Sequence, residues 1–439
     1  MSEWKALTLG HLSTQRKGIN YKSEDYGDEH SGHPFITIKC FVKGGGYEPT
    51  GIKFYDGFST TADHLSPGDL LFSVTDLTRA GDIVGSPLRV PDFGSTKPAL
   101  ASMDCMRIDP IANRCDKRFL YHSLMLSDVR RQMVAYAAGS TVLHLDTKKV
   151  PSISVRIPVD VNLQSRIADI LDSIDTAIEK TEALIAKYQQ IKAGLMHDLF
   201  TRGVLPNGQL RPPREQAPEL YQETAIGWIP REWDVCRISD CGDVKLGRQR
   251  SPDQHSGKWS KPYLRVANVF DGFIDVSDVL EMDFTPSERE TFAVNDGDVL
   301  LNEGQSLELV GRSSIYRGES GVYCFQNTLV RFRCNPENLP DFFAHLFKKF
   351  LDEGAFQRIA KQTTSVAHLG ADRFAKMMCV KVARDEQGRI SERLTVVDNQ
   401  LAKLRDQHAK LGKQKQGLMH DLLTGKVPVK VETPEAVDG

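Results

Sequence analysis

The sequence predicts a mixed α/β protein built as two copies of one unit, each an α/β domain followed by a long helix. Three observations predict it. The hexapeptide GLMHDL stands at 194–199 and again at 417–422, 223 positions apart. A stripe of apolar residues at alternating spacings of three and four precedes each copy, the pattern of a coiled coil. Further upstream, shorter segments match in the same order, and the offset drifts only from 223 to 229.

The first domain is expected at 1–160. Within it, HPFITIK (33–39) places Pro before an alternating strand, SPGDLLFS (66–73) is a Gly-Asp turn into a buried strand, and GSTVLHL (139–145) closes the domain. Their counterparts are KPYLRVA (261–267), NDGDVLLN (295–302) and TTSVAHL (363–369), so a second domain is expected at 231–385.

The first long helix is expected at 161–203. Ile167, Ile170, Ile174, Ala177, Thr181, Leu184, Tyr188, Ile191 and Leu195 form its stripe, widened by Leu171, Ile178 and Ile185. The second, at 386–425, carries Ile390, Leu394, Val397, Leu401, Leu404, His408, Leu411 and Leu418. Each stripe needs a partner, and packing against the other is the simplest solution, in either direction. At the ends, Arg202-Gly203 and Gly425-Lys426 read as helix C-termini, with cations favoured by the dipole and glycine free to take positive φ. Gly194 and Gly417 are expected to let the two backbones approach closely. His197 and His420 read as surface or interface residues in a packed helix end. A linker at 204–230, rich in proline, is expected to lie on a surface and not in a core, and a tail follows at 426–439.

Composition bounds the function. The chain has 439 residues, 40% hydrophobic and 26% charged, which suits two or three water-soluble domains. No apolar run reaches the roughly 18 residues of a membrane span, and MSEWKALTLG lacks a signal-peptide pattern, so a cytoplasmic protein is expected. A formal charge of −2 excludes a general polycation but leaves room for a local basic surface. Eight cysteines without a CxxC give no zinc-ribbon spacing, so reduced, mostly buried thiols and no metal are expected. His30 and His33 read as loop histidines.

No active site is legible. There is no P-loop, and the glycines at 44–46 open no dinucleotide fingerprint. Asp109-Pro110 and Asn335-Pro336 lack the second proline of a methyltransferase motif. Pro91-Asp92 and Asp146-Thr147-Lys148 lie too far apart to make a nuclease signature.

The duplicated domain-plus-helix resembles the specificity subunits of type I restriction–modification systems. TAIGWIPREWDVCRISDCGDVKLGRQRSP (224–252), opening the second copy, carries this resemblance. So does GSTVLHLDTKKVPSISVRIPVDVNLQSRIADILDSID (139–175), leading into the first helix. The family's motif before the helix is degraded to Ile157-Pro158 and Leu163-Gln164 in the first copy, and to Arg384-Asp385-Glu386-Gln387 in the second. The resemblance implies two target-recognition domains, each reading one half of a bipartite site in double-stranded DNA. It implies that the helices pair as an antiparallel coiled coil, a spacer of fixed length. At 1.5 Å per residue, about 40 residues span about 60 Å, on the order of 17 base pairs. It further implies two modification (methyltransferase) subunits using S-adenosylmethionine, with up to two restriction subunits using ATP and Mg. These cofactors belong to the partners; this chain is expected to hold none. The competing reading is a coiled-coil adaptor that binds protein.

Base reading uses Arg or Lys for guanine and Asn or Gln for adenine, while phosphates require only positive charge and donors. On that ground the candidates in the first domain are Arg16, Lys17, Lys39, Lys43 and Arg79. In the second they are Arg248, Gln249, Arg250, Arg265, Asn268, Asn302 and Arg312. For helix packing and partner docking the candidates are Ile167, Ile174, Ile178, Leu195 and His197, with Val397, Leu401, Leu404, Leu418 and His420.

Overall fold

The computed structural model describes residues 3–78, 80–249, 257–362 and 366–429. Two compact units divide the chain, and the division runs through both long helices. Residues Met1–Ala183 and Asp406–Gly439 belong to the first, Leu184–Arg405 to the second.

In the first unit a four-stranded antiparallel sheet has the order Ser13–Lys17, Cys105–Pro110, Leu70–Ser73, Pro87–Arg89. A smaller sheet joins Lys53–Tyr55, His33–Ile36 and Leu100–Ala101, the last pair parallel. The strand His33–Ile36 is the middle one of this sheet, with Pro34 opposite Phe54 and with Phe35 and Ile36 fully buried. A further three-stranded sheet gathers Ala137–Ala138, Leu143–Leu145 and Thr75–Asp76. The entering strand Trp4–Thr8 and the leaving strand Ser154–Pro158 pair at the base, where the first long helix begins.

The second unit repeats this plan strand for strand. Its large sheet runs Gly242–Leu246, Leu329–Cys334, Val299–Asn302, Ser313–Ile315, and its smaller sheet runs Leu280–Asp283, Ser260–Leu264, Cys324–Phe325. Asp234–Arg237 pairs with Met378–Lys381 at its base.

The long helices are Val161–Arg202, of 42 residues, and Arg384–Leu423, of 40. They pack antiparallel. In the first unit Lys415 Nζ meets Asp175 at 2.6 Å and His408 meets Glu182 at 2.8 Å. In the second, Lys192 Nζ meets Asp398 at 2.5 Å. The pairs Lys192–Asp398 and Lys415–Asp175 are the same contact in the two copies, since both residues shift by 223 positions. Each helix ends at a glycine with positive φ, Gly203 at 65° and Gly425 at 72°. A side chain there would also collide, with Glu386 and Arg211 at Gly203 and with the Trp4 ring at Gly425.

A buried glutamine at each helix start ties it to its domain. Gln164 donates to the carbonyls of Pro158 and Arg114 and accepts from the Asp116 N–H. Gln387 donates to the Val382 carbonyl and to Asn338, and accepts from the Leu339 N–H. The degraded motif thus keeps the one residue that performs this task.

Ile167, Leu171, Leu422 and Leu423 enter the core of the first unit, with Leu418 packed against it. Leu199, Phe200, Ile390 and Leu394 enter that of the second. Leu401 and Leu404 are buried, and Ile174, Ile178, Leu195 and Val397 are half-buried, as the stripes require. Three expectations fail. Leu184 and Ile191 are exposed, 42% and 44%, because the heptad marks an apolar face without marking what covers it. Gly194 and Gly417 face open space, where an added Cβ meets nothing within 4 Å, so they bring no backbones together. The linker is not confined to a surface. It folds into a hairpin, Tyr221–Thr224 with Gly227–Pro230, and buries Val204 and Ile229 in the second core, beside Trp233 just beyond it. Among the described residues no helix is long and apolar enough to cross a membrane.

Candidate nucleic-acid interface

In each unit a capped turn follows the smaller sheet, and an arginine holds the capping carboxylate. Thr285 and Glu288 form a capping box at the start of Pro286–Phe292. Arg248 Nε donates to Glu288 at 2.7 Å, its Nη1 donates to the Asp283 carbonyl at 2.6 Å, and its guanidinium lies 5.1 Å from the Phe284 ring centre. In the first unit Thr60 and Asp63 make the box, and Arg16 donates to Asp63 at 2.7 Å and to the Ala62 carbonyl at 2.8 Å. Hydrogen bonds from the Thr60 hydroxyl and backbone N–H, and then the Arg16 charge, hold the Asp63 carboxyl below its ordinary range against the effect of burial.

The framework therefore occupies several residues expected to read bases. Arg248 is only 8% exposed, and both faces of its guanidinium chemistry are taken. Asn268, 2% exposed, accepts from the Arg265 N–H and donates to the carbonyls of Asp275 and Asp278, fixing a loop. Arg265 pairs with Asp278 at 2.9 Å. Asn302 is fully buried at the end of its strand. Arg312 is half-buried over Phe270, 5.1 Å from the ring centre. Arg248 and Asn268 are satisfied by the protein, as buried polar groups are, and so serve loop geometry first, whereas both amide atoms of Asn302 and the Nε of Arg312 are buried without a hydrogen-bond partner among the described residues. Lys17, Lys39 and Gln249 are exposed, and Lys43 is exposed but paired with Asp82 at 2.6 Å. Arg79 and Arg250 lie outside the described residues.

Both units carry exposed aromatic groups that the sequence reading missed. Trp259, 37% exposed, has Lys258 Nζ at 5.0 Å and the Arg289 guanidinium at 5.9 Å from its ring centre. Its N–H donates to the Asp283 carboxylate, so it shares one network with Arg248. Phe273, 55% exposed, stacks on Phe270. In the first unit Phe58 is 86% exposed, two residues before the Thr60 turn. Exposed rings flanked by cations suit stacking or wedging against bases beside phosphates. The Lys258-Trp259 pair was the visible signal.

On the helices, His197 and His420 are exposed, so they take no part in helix packing. With Gly194 and Gly417 they leave an identical, solvent-facing patch in both copies, while Met196, Leu199 and Leu422 beneath are buried.

Two like units, each built on the same set of sheets and crossed by both long helices, make a duplicated α/β scaffold. Residues 1–190 match the family model of the type I restriction modification DNA specificity domain. The chain is 23% identical over 346 residues to the type I restriction enzyme MjaVIII specificity subunit of Methanocaldococcus jannaschii, covering 76% of each chain. It is 22% identical over 378 residues to the putative MjaX specificity subunit of the same organism, covering 83% of this chain and 79% of that one. The fold is shared with the crystal structure of a type I restriction–modification S subunit from M. genitalium, at a TM-score of 0.60 and 15% identity, over 98% of this chain and 97% of that one. The chain is thus similar in sequence and fold to specificity subunits of type I restriction–modification systems.

Proposed function

We propose that each unit reads one half of a split DNA sequence, and that the two long helices set the gap and carry two modification subunits. One contrast carries this reading. Gly194 and His197 recur as Gly417 and His420 although, among the described residues, the glycines face open space and the histidines are exposed, whereas the exposed residues around the two capped turns differ. Identity without internal demand points to a shared external contact, and pseudo-two-fold symmetry supplies two such contacts for two copies of one partner. Difference on an otherwise equal framework suits two half-sites of different sequence. On this reading Lys17, Lys39, Gln249, Lys258 and the rings of Phe58 and Trp259 face DNA. Arg16, Arg248, Arg265 and Asn268 hold the loops that present them. S-adenosylmethionine, ATP and Mg would be held by partner subunits, restriction subunits among them, and the complex would act in the cytoplasm.

The test is to co-express the chain with modification subunits and map adenine methylation across host DNA. Two short blocks around a fixed gap support the reading. Co-purification without methylation at any split motif counts against it, and favours a protein-binding adaptor. A steep loss of DNA affinity with salt is expected from phosphate neutralisation.

A further inference from the structure

Three thiols meet at the base of the second unit. Cys236 and Cys379 are cross-strand partners in the pair Asp234–Arg237 and Met378–Lys381. Cys241 ends the single turn Ile238–Cys241 that follows the first of these strands. Their sulfurs form a triangle with sides of 3.2, 3.8 and 3.9 Å. Cys241 and Cys379 are 4% and 1% exposed, and Cys236 is half-buried, so one side of the triangle opens outward.

The first unit provides the comparison. There the turn Leu9–Leu12 follows the strand Trp4–Thr8, and Leu7 pairs with Val155 across the base. The positions of Cys236, Cys241 and Cys379 are thus those of Leu7, Leu12 and Val155, an ordinary apolar corner of the core. The fold does not need sulfur here. Yet the second unit replaces all three apolar residues with cysteine.

The spacing suits a metal. Thiolates held tetrahedrally at about 2.3 Å from zinc lie about 3.8 Å from one another. Two sides of the triangle have this length, and the third reaches it by a small side-chain rotation of the half-buried Cys236. No local spacing rule would find the set, because the third ligand lies 138 residues beyond the second.

We propose that Cys236, Cys241 and Cys379 bind a soft d10 cation of the zinc class, with the fourth position open on the Cys236 side. Binding replaces three S–H bonds by three metal–sulfur bonds and releases three protons to solvent, with no change of oxidation state. The ion would tie the strand entering the recognition domain to the strand leaving it, just ahead of the helix that starts at Arg384. It would fasten the second domain to its helix, as apolar packing fastens the first.

The probe is Co2+ added to the full chain, purified under reducing conditions and stripped of metal. One equivalent is expected to give sulfur-to-cobalt charge-transfer absorption, and Zn2+ is expected to abolish it. The variant Cys236→Leu/Cys241→Leu/Cys379→Val copies the first unit and is expected to fold, keep the other five cysteines and lose the band. Chelator is expected to lower the melting temperature of the wild type but not of this variant. Absence of the band in the wild type, or its persistence in the variant, overturns the proposal. So does a Cys236–Cys241 disulfide with no metal uptake after reduction. If the triple variant fails to fold, Cys241→Ser alone must still lose the band.

Discussion

Replacing Glu386 by Ala is expected to loosen the second unit. Glu386 is 5% exposed, and its carboxylate accepts from Arg211 Nη1 at 2.5 Å, Val204 N at 2.7 Å and Trp233 Nε1 at 3.0 Å. Arg211 is itself 3% exposed, so removing its partner leaves a buried charge, which costs about 3–5 kcal/mol. The exposed Glu232 also pairs with Arg211 and pulls the cost toward the lower end. The orphaned Val204 and Trp233 donors pull it back up, and about 4 kcal/mol is the result. For a unit of this size that is about 10 °C in melting temperature. Glu386→Gln keeps one acceptor and loses the charge, and is expected to cost about half as much. Arg211→Met/Glu386→Met removes both charges, so it is expected to recover about 2 kcal/mol relative to the sum of the singles. Tryptophan fluorescence during denaturant unfolding reads this directly, because Trp228, Trp233 and Trp259 all belong to the second unit. Single variants within 1 kcal/mol of wild type, or a double variant equal to the sum, would refute the hub.

Three further outcomes are expected. Burial holds the His345 imidazole at about 4, below the ordinary 6.5, so the unfolded chain takes up a proton between these values and the folded chain does not. Stability of the second unit is therefore full above pH 6.5 and falls toward pH 4, by up to about 3 kcal/mol. Melting curves of His345→Gln should be flatter across that window, and parallel curves would contradict the assignment. His197→Glu and His420→Glu should change stability by less than about 0.5 kcal/mol and yet weaken co-purification of the modification subunits. Normal co-purification with both changed would remove the helix patch as a docking face. Arg248→Ala should destabilise the second unit by about 2 kcal/mol through loss of the Glu288 pair, whereas Gln249→Ala should leave stability intact and alter one half of the methylated motif. A stable Arg248→Ala with an altered half-site would return that arginine to base reading.

The repeat and both helices were legible because they rest on periodicity, which survives in a single sequence. Gly203 and Gly425 stopped the helices where a positive φ was foreseen. What covers an apolar face was not legible: Leu184 and Ile191 continue the heptad yet lie open. Nor was the division of polar residues between framework and surface. Arg248 and Asn268 have the chemistry of readers, but their partners, Glu288 and the carbonyls of Asp275 and Asp278, emerge only when the loops close. The Thr285-x-x-Glu288 capping box was the available hint. The linker misled through its prolines, which mark turns but do not forbid Val204 and Ile229 from reaching a core.

The core of the first unit is finished by residues from the far end of the chain. Leu422 and Leu423 fill it, and Trp4 lies against Gly425. The second unit closes from one unbroken stretch, 184–405. During synthesis, then, the domain made first must wait for residues that begin 223 positions after its own first stretch ends (183 to 406), while the domain made second can complete itself before them. Until that moment the earlier domain exposes the groove meant for the second helix. Its exposure time is set by translation, and a pause or truncation before residue 406 would leave the older half of the protein, not the newer one, open to chaperones and proteases.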